Sequence, residues 1–190
     1  PLFARELMDA LIESGYIKQQ GDAVVIIRDL SQARLPLSIR ELVQARIDRL
    51  SDLDRLILKV AAVIGRDFSM RILHESVPVP IPETELMQRL NTLETQEFAY
   101  LISADPDPVY RFRHAITQEV AYEGLLGEQR AMLHQAVAVA MRIYQPEAHE
   151  LLAHHFSHGR NSDEAWVYLV LAGEKAFRDY ANGSALKYYG

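Results

Sequence analysis

Cysteine is absent from all 190 residues, which excludes a disulfide framework and any thiolate-based zinc or redox site. No apolar run approaches the roughly eighteen residues of a membrane span. The opening Pro1-Leu-Phe-Ala-Arg-Glu6 has neither the basic flank nor the apolar core of a signal peptide, so a cytoplasmic chain with no membrane contact is expected. Positive charge is in short supply. The 20 Lys and Arg face 26 Asp and Glu, a formal net of -6, which disfavours non-specific attraction to nucleic acid or to an acidic membrane surface. Neither a Gly-x-x-x-x-Gly-Lys-Ser/Thr loop nor a strand ending in acidic magnesium ligands occurs, so the chain is expected to be non-catalytic and not to hydrolyse ATP by itself.

What is present is apolar material, 49% of the residues, enough for one ordinary core or two or three small ones. Leu2, Phe3, Leu7 and Leu11 mark an amphipathic helix closed by Gly15. Pro1 stands where a helix begins with no cap before it, and the chain stops inside a helical pattern at Gly190, so it reads as a piece cut from a larger protein. Tyr16–Lys18 and Ala23–Ile27 flank Gln-Gln-Gly-Asp as a hairpin candidate. Ser38 with Glu41 is a capping box, opening a helix whose apolar face is Ile39, Leu42, Val43, Ile47 and Leu50.

Ser51 and Asp54 repeat the cap signature, and Leu53, Leu56, Ile57, Val60 and Ile64 form a stripe that stops at Gly65. A short helix is expected over Phe68–Val77. A proline-broken connector, Pro78–Pro82, leads into a helix carrying Leu86, Leu90 and Leu93. Phe98–Ile102 and Val109–His114 read as two strands joined by Ser-Ala-Asp-Pro-Asp-Pro. Three helices and then a two-stranded hairpin is the order of a winged-helix domain. The helix that would enter a DNA groove, Glu83–Gln96, carries Glu83, Glu85 and Glu94 against a lone Arg89, and residues 51–126 hold twelve acidic and seven basic residues. DNA binding by this region is therefore disfavoured.

The stretch Val109–Leu126 changes period halfway. Tyr110, Phe112 and His114 alternate with Arg111 and Arg113, and then Ile116, Val120, Ala121 and Leu125 recur at helical spacing. His114 therefore sits where a strand hands over to a helix, near unpaired N–H groups and a positive dipole end, chemically suited to meet a phosphate. Arg111 and Arg113 are read as the solvent face of the strand, Glu41 as part of a cap and Glu119 as a helix-surface group.

From Gln129 the pattern is all helical. Met132, Leu133, Ala136, Val137, Ala140 and Ile143 make one face, ended by Pro146. Leu151, Leu152 and Phe156 make the next, and Asp163–Tyr180 is a long helix whose Ala165, Ala172, Gly173 and Ala176 permit close approach. Gly173, Ala185 and Tyr189 have the spacing of the small, small and aromatic positions of a tetratricopeptide repeat. His154 and His158 are four apart, which puts two ligands on one helix face, with His149 and His155 nearby. No glutamate stands between them as in His-Glu-x-x-His, and His155 is read as facing inward with Leu151 and Leu152, so no metal site is assigned.

Three segments carry a resemblance: Leu35-Pro-Leu-Ser-Ile-Arg-Glu-Leu-Val-Gln-Ala-Arg-Ile-Asp-Arg-Leu50, Lys59-Val-Ala-Ala-Val-Ile-Gly-Arg-Asp-Phe68 and Phe112-Arg-His-Ala-Ile-Thr-Gln-Glu-Val-Ala-Tyr122. Together they look like bacterial multidomain ATPases of the STAND signal-transduction class, often fused to class III adenylate or guanylate cyclase domains. The resemblance implies a mainly α chain with three regions: a helical lid at 1–50, a winged-helix domain with a two-stranded wing at 51–126, and tetratricopeptide-like helical hairpins at 127–190. It implies a P-loop core upstream in the parent chain, binding ADP or ATP with Mg. It implies, too, a regulatory role that couples nucleotide state to a protein partner or output domain. By position, His114 resembles the winged-helix histidine that contacts the β-phosphate of ADP, and Pro1 resembles the lid proline that packs near adenine. Relatives usually follow that histidine with aspartate, where this chain has Ala115. A scaffold without nucleotide contact and a winged-helix transcription regulator are the alternatives.

Overall fold

The computed structural model describes residues 8, 11–12, 15–20, 23–27 and 38–178. The chain divides into two compact units, Pro1–Ser51 and Asp52–Gly190. Pro1, Leu2, Phe3 and Leu7 lie outside the described residues, as do Ala185 and Tyr189.

In the first unit, β1 (Ile17–Gln20) and β2 (Ala23–Ile26) pair antiparallel with Ile17 opposite Ile26. This is the hairpin that the Gln-Gly-Asp turn chemistry leads one to expect. Helix α1 (Ile39–Asp48) starts at Ser38, whose hydroxyl accepts the Glu41 N–H at 3.2 Å. Leu42, Val43 and Ile47, spaced along one helix face, are buried.

The second unit opens with α2 (Asp52–Ile64). Its apolar face is wider than the expected stripe. Ile57, Leu58, Val60, Ala61, Ala62 and Val63 are all buried, whereas Leu53, Leu56 and Ile64 are only partly so. A helix hydrophobic nearly all round is one packed on several sides, and α2 meets four later helices. Gly65, at φ 145°, turns the chain out of the helix into β3 (Asp67–Ser69). That strand corrects the expectation of a helix from Phe68, since the helix α3 begins two residues later and covers Met70–Ser76.

After the proline connector, α4 (Glu83–Thr95) buries Leu86, Leu90 and Leu93, each at 0% exposure. Its C-terminus closes through two backbone bonds, Phe98 N–H to the Leu93 carbonyl and Glu97 N–H to the Glu94 carbonyl, both at 2.9 Å. This is the Schellman pattern, with Glu97 at φ 59° in the position that glycine usually takes and with Phe98 and Leu93 buried as its apolar clasp. Strands β4 (Ala99–Ser103) and β5 (Val109–Phe112) follow. The sheet is three-stranded in the order β3-β5-β4, antiparallel throughout, where two strands were expected. β5 is central, Phe68 pairs with Tyr110, and Phe112 pairs with Ala99.

Ser69 ties this sheet to the helix after it. Its hydroxyl accepts the Ile72 N–H at 3.3 Å as the N-cap of α3 and donates to the Asp107 carboxylate in the β4–β5 loop. Ser69→Ala should cost about 0.5–2 kcal/mol, the usual worth of such a cap. Urea unfolding of the two proteins side by side would measure it, and a loss below about 0.3 kcal/mol would mean that the cap contributes nothing.

Four helices follow among the described residues: α5 (Ala115–Glu123), α6 (Gly127–Tyr144), α7 (His149–His158) and α8 (Ser162–Arg178). Two bonds stitch α5 to α2. Gln118 Nε2 donates to the Ala62 carbonyl at 3.2 Å, and Lys59 Nζ donates to the Gly124 carbonyl at 2.9 Å. Helix α6 packs on α2 and α3, α7 packs on α6, and α8 packs on α7. The buried face of α6 is Leu133, His134, Val137, Ala138, Ala140 and Met141. Met132 and Ile143, expected inside, are 56% and 65% exposed. Along α8, Ala165, Ala172, Gly173 and Ala176 are buried, as small residues at a close helix contact should be.

Candidate functional site

The strand-to-helix junction at His114 forms where the sequence places it. β5 ends at Phe112, and His114 is the N-cap residue of α5 with an extended backbone, φ -135° and ψ 136°. Its imidazole makes no cap hydrogen bond to the helix it precedes. The His114 carbonyl accepts the Thr117 N–H at 3.1 Å, so the first turn is tight. The ring is half-buried.

The cations near this junction are largely committed. Arg111 grips Asp67 across the sheet with two bonds of 2.6 Å. The Arg111 hydrogen bonds, opposed only by slight burial, hold the Asp67 carboxyl below its usual range. The same hydrogen bonds push Arg111 further up, with Tyr100 assisting. Arg113, on the exposed face as expected, lies over the Tyr100 ring at 5.7 Å. Tyr110, buried beneath, has its phenol raised by burial and secondarily by Glu94. On α4, Arg89 is held by Glu85 at 3.1 Å and by the buried Asp54 at 3.6 Å. The one basic residue of that helix is therefore not offered outward.

A second constellation was legible only in part in the sequence, which groups His154, His155 and His158 but leaves out His134. His154, His155 and His158 on α7 gather around His134 of α6, with ring centroids 5.5, 5.1 and 5.1 Å from it. His134 and His155 are each 1% exposed, and their Nδ1 atoms are 2.9 Å apart. On the other side, His134 Nε2 meets the Tyr122 hydroxyl of α5 at 2.9 Å. Two facing nitrogens at that distance must share one proton. The bonds close among neutral groups when Tyr122 O–H donates to His134 Nε2 and His134 Nδ1–H donates to His155 Nδ1. Burial keeps the rings neutral: it lowers His134 to about 4, with His154, His158 and Arg130 adding repulsion. Burial likewise lowers His155 to about 3, with the other three histidines adding to it and the Ile64 backbone opposing. His154, an exposed residue on the rim, is lowered by burial of its ring and by His158.

The inward reading of His155 and Leu152 is correct, but Leu151 is 49% exposed. A signal for His134 exists in the sequence. His134, Val137, Ala138 and Met141 stand at i, i+3, i+4 and i+7, a stripe equivalent to the one expected but rotated by about one residue. His149 stays apart from the cluster, against Tyr168 at 6.4 Å. Pro1, the other residue suggested by resemblance, lies outside the described residues. Searches of family models, curated proteins and solved structures give no match to the chain.

Proposed function

We propose that this chain is a non-catalytic regulatory segment of an ATP- or ADP-dependent signalling protein, in which His114 bonds the nucleotide phosphate bound by an upstream core. The observation that carries the reading is the junction itself. A half-buried imidazole is held at a helix N-terminus by the central strand of a sheet. Helix N-termini favour anions through their unpaired N–H groups and dipole.

The element order supports it. Helix, strand, two helices and two strands, closed in the order β3-β5-β4, is the connectivity of a winged helix, and we assign residues 51–126 to that fold with β4–β5 as the wing. The helices from α6 onward are assigned as tetratricopeptide-like hairpins that bind a protein partner or an output domain. Exchange of ADP for ATP would loosen the His114 contact, and the packed helices would carry the change. A ligand shifts such an equilibrium only through contacts that differ between its states. The winged-helix regulator reading is disfavoured by the acidic α4 and by the capture of Arg89.

The test is ADP binding by calorimetry to the parent chain extended through its nucleotide core. A charged hydrogen bond is worth about 1.5–3 kcal/mol, so His114→Ala should weaken ADP about ten- to hundredfold. Equal affinities would make His114 a structural residue and the chain a scaffold between an ATPase and its output.

A further inference from the structure

Converging imidazoles are the donor set that borderline transition metals prefer. His134, His154 and His155 each present a ring nitrogen, and the three nitrogens lie within 4.8 Å of one another. We propose that these three residues form a binding site for a zinc-class divalent cation that fastens α6 to α7, with a fourth position open to water.

Four features of the site support this. First, the distances are close to those needed. Zinc–nitrogen bonds of about 2.0–2.1 Å set tetrahedral ligands about 3.4 Å apart. The His134 and His155 nitrogens, now 2.9 Å apart, need to spread by a few tenths of an ångström, while His154 closes in. Second, the protonation state is ready. His155 Nδ1 already offers a lone pair, and His134 Nδ1 offers one as soon as its proton shifts to Nε2, where the Tyr122 oxygen accepts it at 2.9 Å. A metal-bound histidine characteristically donates its second N–H to a fixed oxygen, and Tyr122 is that oxygen here.

Third, there is a way in. His134 and His155 are 1% exposed, but His154 is at the surface and can capture the ion first. Fourth, the donor set selects. No carboxylate belongs to the group, so calcium and magnesium, which require oxygen ligands, are excluded in favour of zinc, cobalt, nickel or copper. His158 is assigned a positioning role. Its Nδ1 donates to the His154 carbonyl at 2.8 Å, and its ring lies 4.3 Å from that of His154, which sets the orientation of the exposed ligand.

The experiment uses the tag-free chain, stripped with a chelator and titrated with Zn2+ by calorimetry and with Co2+ by its visible ligand-field absorption. One equivalent should bind, and Co2+ should give the intense bands of a tetrahedral nitrogen site. Losing even an outer partner of a metal ligand costs about ten- to hundredfold in affinity. His154→Ala, an exposed change that spares the core, should therefore lose at least tenfold, and Tyr122→Phe should lose tenfold or more. His158→Ala, which removes the ring that orients His154 but no ligand, should weaken binding by a smaller factor than His154→Ala does. Circular dichroism of each variant checks that it is folded. Absence of binding by the folded parent, or a His154→Ala variant that binds Zn2+ as tightly as the parent, would overturn the assignment.

Discussion

Phe112→Ala is expected to lower the unfolding free energy by about 3–5 kcal/mol, the range for removing a fully buried aromatic. Phe112 is 0% exposed and lies in the central strand of the three-stranded sheet. Its ring is tilted against that of Phe68 at 5.4 Å, and Phe68 is itself 1% exposed. Truncation therefore leaves a void on the core face of the central strand, and the ladders to both neighbouring strands hold its backbone against collapse into it. Against a total stability of about 5–15 kcal/mol, such a loss is a large fraction. Leu101→Ala supplies the control: that side chain is 40% exposed on the neighbouring strand, and its removal should stay within about 1 kcal/mol. Urea midpoints of the two variants decide the matter, and similar midpoints would mean that Phe112 is not the centre of this core.

The second large effect is acid lability set by the histidine pair, measured with a chelator present. His134 titrates at about 4 and His155 at about 3 in the folded chain, both lowered chiefly by burial, against about 6.5 when exposed. Well above pH 6.5 both states are neutral, and the pair contributes no pH dependence. Between 6.5 and about 4 the unfolded chain binds protons that the folded chain refuses, so stability falls as pH falls. A tenfold difference in proton affinity between the two states is worth about 1.4 kcal/mol, so the two rings together withdraw on the order of several kcal/mol across the window. The Asp67–Arg111 pair acts lower. Its carboxyl is depressed below 3.8, so its stabilisation is present above that value and is lost only as pH drops further. Melting temperatures measured from pH 7 to 4 should decline steadily. In His134→Gln the slope, whatever the starting level, should be shallower. An unchanged slope would mean that the buried ring is not a source of the acid sensitivity.

The leucine helix α4 was legible because Leu86, Leu90 and Leu93 occupy one face and most of what lies between them is polar. The junction at His114 was legible because two different periods meet there. β3 was not. Its three residues are too few to show alternation, and they are held in place by pairing with β5 some forty positions later, a contact that no local window contains. His134 escaped because histidine counts as polar in a search for apolar stripes. Its burial is made tolerable by partners on two other helices, Tyr122 and His155. The same habit of counting put Met132 and Ile143 inside α6, although the buried face lies about one residue further round.

β5 also sets how a tug at His114 would be felt. In an antiparallel ladder the hydrogen bonds run across the strands. A force applied at the end of β5, along its axis, would therefore load the bonds to β3 and to β4 together, in shear, and not one after another as in unzipping an edge. His114 follows the last residue of that strand by two positions and leads into α5, which Gln118 and Lys59 fasten to α2. The mounting of His114 is stiff along the strand and braced from behind. A displacement there would move sheet and helix as one body, with little taken up by local stretching.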